Sequence, residues 1–355
     1  MQTRIEKLRE VMETLELDGM LIESASNRRY ITGFTGTAGT VLISKNQAKL
    51  ITDFRYVEQA GAQAAGFEIV RGSKASMIQQ IADEASKMNM TKLGFEKEHL
   101  TFGNYQKFQN EIAAELVPVA GVLENLRMVK SETEIGFLRT AAQIADTSFA
   151  EILEYIRPGL TEKEIANTLE STLRKHGADS SAFNLIVVSG HRSALPHGLA
   201  SEKIIENGDM LTLDFGAYYK GYRSDITRTI AIGEPDAQLQ DIYQIVLEAE
   251  MKCIALLKPG TLCSEIDIFT HHYIESLGYG DYFGHGTGHG IGLDIHEEPF
   301  FSTTSEKILA PGMIVTVEPG IYIPNLGGVR IEDDVLITDS GHEIITTASR
   351  ELIVL

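Results

Sequence analysis

The stretch Asp209-Met-Leu-Thr-Leu-Asp214-Phe-Gly216-Ala-Tyr-Tyr-Lys-Gly221-Tyr-Arg-Ser-Asp225-Ile-Thr227-Arg-Thr-Ile-Ala-Ile232 reads as two β-strands flanking a glycine-containing turn. That pairing puts Asp214 and Asp225 on neighbouring antiparallel strands, on one face, within reach of a shared ligand. Two carboxylates buried that close repel each other, and each protonates unless a cation sits between them. A metal ion is the economical answer. The competing reading leaves one or both Asp in the loop, where Asp is common beside Gly.

Two further segments extend the pattern toward the C-terminus. Gly284-His285-Gly286-Thr287-Gly288-His289-Gly290-Ile291-Gly292-Leu293-Asp294-Ile295-His296 holds five glycines in its first nine residues, which opposes a helix despite the His-x3-His spacing. A strand or loop is expected, with glycines admitting a close backbone approach to something bulky and three histidines supplying ligands and proton carriers. The glycines match no phosphate-loop register. In Val315-Thr-Val317-Glu318-Pro319-Gly320-Ile-Tyr322-Ile-Pro324-Asn-Leu-Gly327-Gly328-Val329-Arg330-Ile331-Glu332-Asp333-Asp334, the turn at Pro324–Gly328 should set Glu318 opposite Glu332. Arg330 shares a strand face with Glu332, so it can orient that carboxylate or grip a substrate. Asp333 and Asp334 read as a strand end and solvent. A weaker segment, Ser193-Ala-Leu-Pro196-His197-Gly198, is a turn presenting one histidine. His191, His271 and His272 read as ordinary surface or core groups.

Charge and composition bound the rest. The chain has 355 residues and a net charge of -19; residues 1–125 hold 16 acidic and 14 basic side chains, a balance of -2, and residues 126–355 hold 34 and 17, a balance of -17. Such acidity argues against nucleic acid and anionic membranes as partners. Two cysteines, Cys253 and Cys263, cannot form a disulfide framework, and a reduced, cytoplasmic chain is expected. The first residues alternate charges on a helical pattern rather than forming an apolar signal region, and no stretch approaches the ~18 apolar residues of a membrane span.

Residues 1–125 alternate helical and strand patterns. Helices are expected over 5–15, 56–65, 77–88 and 105–116, and strands over 19–23, 40–44, 49–53, 67–70, 93–96 and 117–120. This describes an N-terminal α/β domain with a mixed sheet. Gly33-x-x-Gly36-x-x-Gly39 is read as a turn. A long helical run over 123–153 passes through Ser131 and Glu134, a capping-box pair, and a second box, Thr161-x-x-Glu164, opens another helix. Helices over 239–257 and 264–277 follow, interleaved with hairpins. Residues 126–355 are therefore expected to form an α+β domain around an antiparallel sheet.

The words Leu-Asp214-Phe-Gly, Ser-Asp225-Ile-Thr-Arg-Thr, Gly-His285-Gly-x-Gly-His289-Gly-x-Gly, Glu318-Pro-Gly-Ile-Tyr and Val-Arg330-Ile-Glu332-Asp resemble those of the pita-bread metallopeptidases, in the Xaa-Pro aminopeptidase and prolidase branch. The resemblance covers the whole chain, with residues 1–125 similar to the creatinase-type first domain. It implies a catalytic domain over 126–355 with a curved antiparallel sheet. It also implies two divalent ions: Asp214 on one, Asp225 and Glu332 bridging, and His289 and Glu318 on the other. One nitrogen among oxygens favours Mn²⁺, with Co²⁺ and Zn²⁺ the other candidates. Two such ions share and acidify a water that attacks the scissile carbonyl. The resemblance further assigns His285 and His296 to the donors that amide hydrolysis needs, His197 to the proline side and Arg330 to the active site. Glu318 is the expected proton shuttle, and Tyr322 and Thr227 are expected to buttress the ligands. The expected activity is cleavage of the Xaa-Pro bond at the N-terminus of peptides, with a dipeptidase as the alternative. A creatinase-like hydrolase without metal and a non-catalytic binding module rank below, because the five-ligand set is intact. Methionine aminopeptidases rank lower too, since they usually lack the first domain. The family often dimerises, so a homodimer is expected.

Overall fold

The computed structural model describes residues 2–72 and 76–355, and the chain folds as two units, Met1–Arg127 and Met128–Leu355. In the first unit the strands order as Glu68–Arg71, Ala48–Thr52, Thr40–Ser44, Gly19–Ile22, Lys92–Glu96 and Glu115–Val119. Thr40–Ser44 runs antiparallel to both neighbours, while the two outer pairs and the Gly19–Ile22/Lys92–Glu96 pair are parallel, so the sheet is mixed, as expected. Ile81, Ala85 and Met88 recur at helical spacing and close over Leu93, Phe95 and Phe108 in the core of this unit.

Three elements depart from the sequence reading by more than a shift of their ends or by their capping. Helix Ala25–Thr32 was unexpected, although Ser24 caps its start by accepting from the Asn27 amide and Gly33, at φ 77°, closes its end. The helix expected over 105–116 is Phe102–Glu111, capped by Thr101, and Leu116 belongs to the next strand. The run expected over 123–153 splits into Val122–Met128 and Glu132–Tyr155.

The second unit is two helix pairs backing antiparallel strands. Helix Glu132–Tyr155 begins where the Ser131 amide donates to Glu134 Oε2 at 2.9 Å. Helix Glu162–Lys175 begins where Thr161 and Glu164 exchange bonds of 2.8 and 3.2 Å; each cap contributes about 1 kcal/mol. These helices bury Leu211, Leu213, Phe215, Ile226 and Ile230 of strands Met210–Phe215 and Ile226–Ala231. Each such side chain contributes roughly 1.5–3 kcal/mol on burial. The register Asp214↔Thr227, Thr212↔Thr229 therefore places the polar set Asp214, Thr212, Thr227 and Thr229 on the opposite face. Helices Ala237–Leu256 and Cys263–Ser276 back the remaining strands through Ile242, Val246, Cys253 and Ile266. All the strand ladders described in this unit are antiparallel.

Candidate active site

The excursion between Asp214 and Asp225 is itself a hairpin, Ala217–Tyr219 with Tyr222–Arg223, turning through Lys220 and Gly221 at φ 48° and 95°. It returns the chain so that Asp225, two residues before Thr227, lies on the same face as Asp214. On the other side of the site, Val317↔Asp333 and Gly320↔Arg330 bracket Glu318 opposite Glu332. Glu332 in turn bridges to Thr227, joining the two strand sets, and its Oε2 accepts from Thr227 Oγ1 at 2.6 Å.

His289 sits in the short strand Gly288–Gly290. A Cβ on Gly288 would fall 2.0 Å from the Thr316 carbonyl, and one on Gly290 would fall 2.3 Å from that of Glu298. The glycines thus admit neighbouring protein backbone rather than a bulky ligand. Gly288→Ala should spread the strands, cost about 1–3 kcal/mol and weaken metal binding together with stability. Parallel thermal and metal titrations check this; unchanged values in both would contradict it.

Asp225, His289 and Glu332 each present a donor atom within 4.8 Å of the others. His289 Nε2 is 3.3 Å from Glu318 Oε1 and 4.0 Å from Asp225 Oδ2. Its Nδ1 lies 3.0 Å from the Gly290 carbonyl, which can only accept, so that nitrogen carries the proton. Burial lowers the His289 pKa, which keeps the ring neutral. Its Nε2 lone pair therefore points at carboxylate oxygens, an arrangement that needs a cation between them. Asp225 Oδ1 is buried without a hydrogen-bond partner. The lining carries four carboxylates, Asp214, Asp225, Glu318 and Glu332, against the one guanidinium of Arg330, an excess of three negative charges. This donor set fits divalent ions.

Arg330 organises the cluster. Its Nη2 pairs with Asp214 Oδ2, its Nε donates to Thr227 Oγ1 at 3.1 Å, and its Nη1 donates to Tyr322 Oη at 2.9 Å and to the Pro196 carbonyl at 3.2 Å. Burial pushes the Tyr322 hydroxyl up to about 12, so it keeps its proton and donates to His285 Nε2 at 2.9 Å. His285 Nδ1 donates to the Gly286 carbonyl at 2.9 Å. Burial lowers its pKa, so the ring is neutral and has no N–H left for a substrate. His197 and His296 are exposed on the same cavity, without hydrogen-bond partners among the described residues, and the His296 ring stands 4.4 Å from that of His289. The cavity measures about 780 Å³, and Phe183, Leu199, Ile295 and Phe300 line its apolar part.

Asp333 and Asp334 are not solvated, contrary to the sequence reading. Both are fully buried. Asp333 accepts from Arg228 Nη2 at 2.7 Å and from Thr346 Oγ1 at 2.6 Å and pairs with Arg350; Asp334 Oδ2 accepts from the Asp225 amide at 3.0 Å. Partners brought from across the sheet and from residues 346–350 explain the difference. Asp267 was also missed: its Oδ1 accepts from the Thr287 amide and hydroxyl, and the Thr287 carbonyl holds the Glu318 amide at 2.8 Å.

Burial raises Asp225 and Glu332 well above the ordinary carboxylate range, with neighbouring carboxylates adding to it; burial also raises Asp214, against the opposing Arg330. Folded pKa values above unfolded ones favour the metal-free fold at low pH, and that stability is lost as pH rises through the folded values. Metal-stripped protein should therefore lose stability relative to stripped Asp225→Asn as pH rises above the ordinary carboxylate range. Paired thermal melts across pH test the sign, and a gap that narrows with rising pH would contradict it.

Residues 136–339 match metallopeptidase family M24, and residues 4–129 match the creatinase/prolidase N-terminal domain. The chain is 39% identical over 355 residues to a Xaa-Pro dipeptidase of Pyrococcus furiosus, covering 99% of this chain and 100% of that protein. Among solved structures, a Xaa-Pro dipeptidase from Bacillus anthracis superposes with TM-score 0.97 at 54% identity, covering 100% of this chain and 99% of that one. An X-Pro aminopeptidase from Thermotoga maritima superposes with TM-score 0.90 at 38% identity, covering 97% and 100%. No helix among the described residues is long and apolar enough to cross a membrane. With its pita-bread fold and its first domain, the chain belongs to metallopeptidase family M24.

Proposed function

We propose that the chain hydrolyses the Xaa-Pro bond, acting first as a dipeptidase, with Asp214, Asp225, His289, Glu318 and Glu332 as ligands of two divalent ions. The carrying observation is the buried carboxylate cluster with the His289 Nε2 lone pair turned into it. Bound divalent ions supply Lewis acidity and lower the pKa of a water toward neutrality. Mn²⁺ suits a set of four carboxylates and one imidazole.

The protein's own groups do the remaining work. Arg330 takes one oxygen of Asp214 and leaves the other to a ligand. Thr227 and Thr316 donate to Glu332 and Glu318, fixing those carboxylates. Glu318, at the edge of the cluster, holds the proton that the leaving nitrogen takes up. His296, whose pKa is lowered by desolvation within the cavity and by neighbouring His289, presents an N–H to the carbonyl oxygen. His197 serves the proline side. His285 fixes Tyr322 and through it Arg330, a different task from direct donation to substrate. The apolar wall excludes water from the proline ring.

The dipeptidase ranks ahead of the aminopeptidase because the Pyrococcus furiosus and Bacillus anthracis relatives carry that name. The Thermotoga maritima relative supports the second reading. Xaa-Pro and Xaa-Pro-Yaa peptides compared at matched Mn²⁺ test this. Faster turnover of the dipeptide is expected; a tripeptide preference makes the chain an aminopeptidase, and no cleavage of either contradicts both. The same reading includes a homodimer, checked by light scattering, and a cytoplasmic setting, which the buried free Cys253 and Cys263 suit.

A further inference from the structure

Glu162 has no exposed surface, and neither the ligand cluster nor the cavity wall uses it. It opens helix Glu162–Lys175, and its carboxylate turns toward the segment 189–201. Oε1 accepts from the Ser189 amide at 2.8 Å and hydroxyl at 3.0 Å. Oε2 accepts from the Ser201 amide at 2.9 Å, the Ser201 hydroxyl at 2.6 Å and Arg192 Nε at 3.1 Å. One carboxylate thus ties both ends of the segment, one oxygen to each, with bonds strengthened by its charge.

Between those ties lie Pro196, His197 and Leu199, all facing the cavity. The Pro196 carbonyl accepts from Arg330, and Ser193 Oγ accepts from the Gly328 amide at 2.8 Å. The His197 ring has no hydrogen bond of its own among the described residues, so its place over the cavity is set by the backbone that carries it.

We propose that Glu162 is a positioning residue: by clamping Ser189 and Ser201 it holds His197 against the substrate. The inference rests on the proposed function only in giving His197 a substrate to meet; the clamp stands apart from it. Glutamine in its place keeps the shape but turns an amide donor toward one end of the segment, where the backbone N–H can only donate and the serine hydroxyl alone can turn to accept, so that end is loosened. A shift of about 1 Å in a substrate-positioning group lowers turnover by up to about a hundredfold.

The test uses the full chain loaded with Mn²⁺, comparing Glu162→Gln, Ser201→Ala, His197→Ala and the double variant Glu162→Gln/His197→Ala. Amide exchange over 189–201, bound metal, and kcat and KM on an Xaa-Pro peptide are measured for each. Glu162→Gln should speed exchange in that segment, leave bound metal unchanged and lower kcat/KM by about ten- to a hundredfold. Added to His197→Ala, it should change kcat/KM by no more than about twofold, since the two act through one group. Ser201→Ala, which deletes a single donor, should move exchange and rate in the same direction by less, and it decides the matter should Glu162→Gln fail to fold. Unchanged exchange over 189–201, or losses that multiply in the double variant, would overturn the clamp. If the wild type cleaves no Xaa-Pro peptide, the proposed function fails while the exchange comparison still decides the clamp.

Discussion

Asp225→Asn should abolish metal-dependent turnover and, in the metal-free protein, raise stability. The two opposite signs come from one fact. Asp225 is buried with Oδ1 unpartnered, and burial and Glu332 push its carboxyl toward the protonated form. In the stripped protein its charge is a liability that Asn removes at almost no cost in shape. Under the proposed function, that same charge serves as a ligand in the loaded protein. Changes to residues that merely support a ligand cost about 10–100-fold in metal affinity, so loss of a carboxylate proposed as a ligand itself should exceed that range. Free metal at a hundred times its Kd stabilises by about 2.7 kcal/mol; wild type should show this gain on Mn²⁺ addition and Asp225→Asn should not. Thermal melts with and without Mn²⁺ and a peptidase assay measure both arms. Equal metal-induced stabilisation in variant and wild type would contradict the assignment.

Arg228→Ala should cost about 3–5 kcal/mol, the range for removing one member of a buried ion pair; Asp333 keeps Arg350, but four carbonyls lose their donor. Arg228 is 1% exposed. Its Nη2 donates to Asp333 Oδ1 at 2.7 Å and to the Ala348 carbonyl at 2.8 Å, and its Nη1 donates to the carbonyls of Thr227 at 2.9 Å and Glu332 at 2.6 Å. Its Nε donates to the Ser349 carbonyl at 2.9 Å. One guanidinium therefore joins the strand of Asp225 to the strand of Glu332 from behind the site. Lysine cannot reproduce that fork, so Arg228→Lys should recover only part of the loss. Urea unfolding followed by circular dichroism reads the change, and a difference below about 1 kcal/mol would show that the pair is not needed.

These two residues mark where the sequence could and could not be read. Asp225 was legible because strand–turn–strand patterning around Gly216 and Gly221 is local, and once the turn sets the register Asp214↔Thr227, period-two alternation puts Asp214 and Asp225 on one face. Glu318 opposite Glu332 was legible in the same way, through the turn at Pro324–Gly328. Both capping boxes were local too. Arg228 was not, because it sits on the helix-facing side of its strand, where an apolar residue is expected, and its partners other than the Thr227 carbonyl lie more than a hundred positions away. Asp333 and Asp334 were misread for the same reason: nothing local announces that Arg228, Arg350 and the Asp225 amide meet them. Helix Ala25–Thr32 was overlooked although Ser24 and Gly33 mark its ends; its interior, Ala-Ser-Asn-Arg-Arg-Tyr-Ile-Thr, is mostly polar and β-branched, which hides the helical period. Glu162 drew no reading of its own, being one of the unspecified positions within Thr161-x-x-Glu164. That its side chain would leave the helix and hold a loop depends on Ser189 and Ser201, which the fold alone brings together.

The opening excess of negative charge also acquires a location. Part of it is the site itself, where four carboxylates meet one arginine, and two divalent ions would reverse that imbalance. The most direct test is therefore to strip the full chain with a chelator and titrate Mn²⁺ back while following Xaa-Pro hydrolysis and bound metal together. The account predicts no turnover in the stripped chain and a rate that saturates as occupancy reaches about two ions per chain; full-rate cleavage by the stripped chain would contradict it.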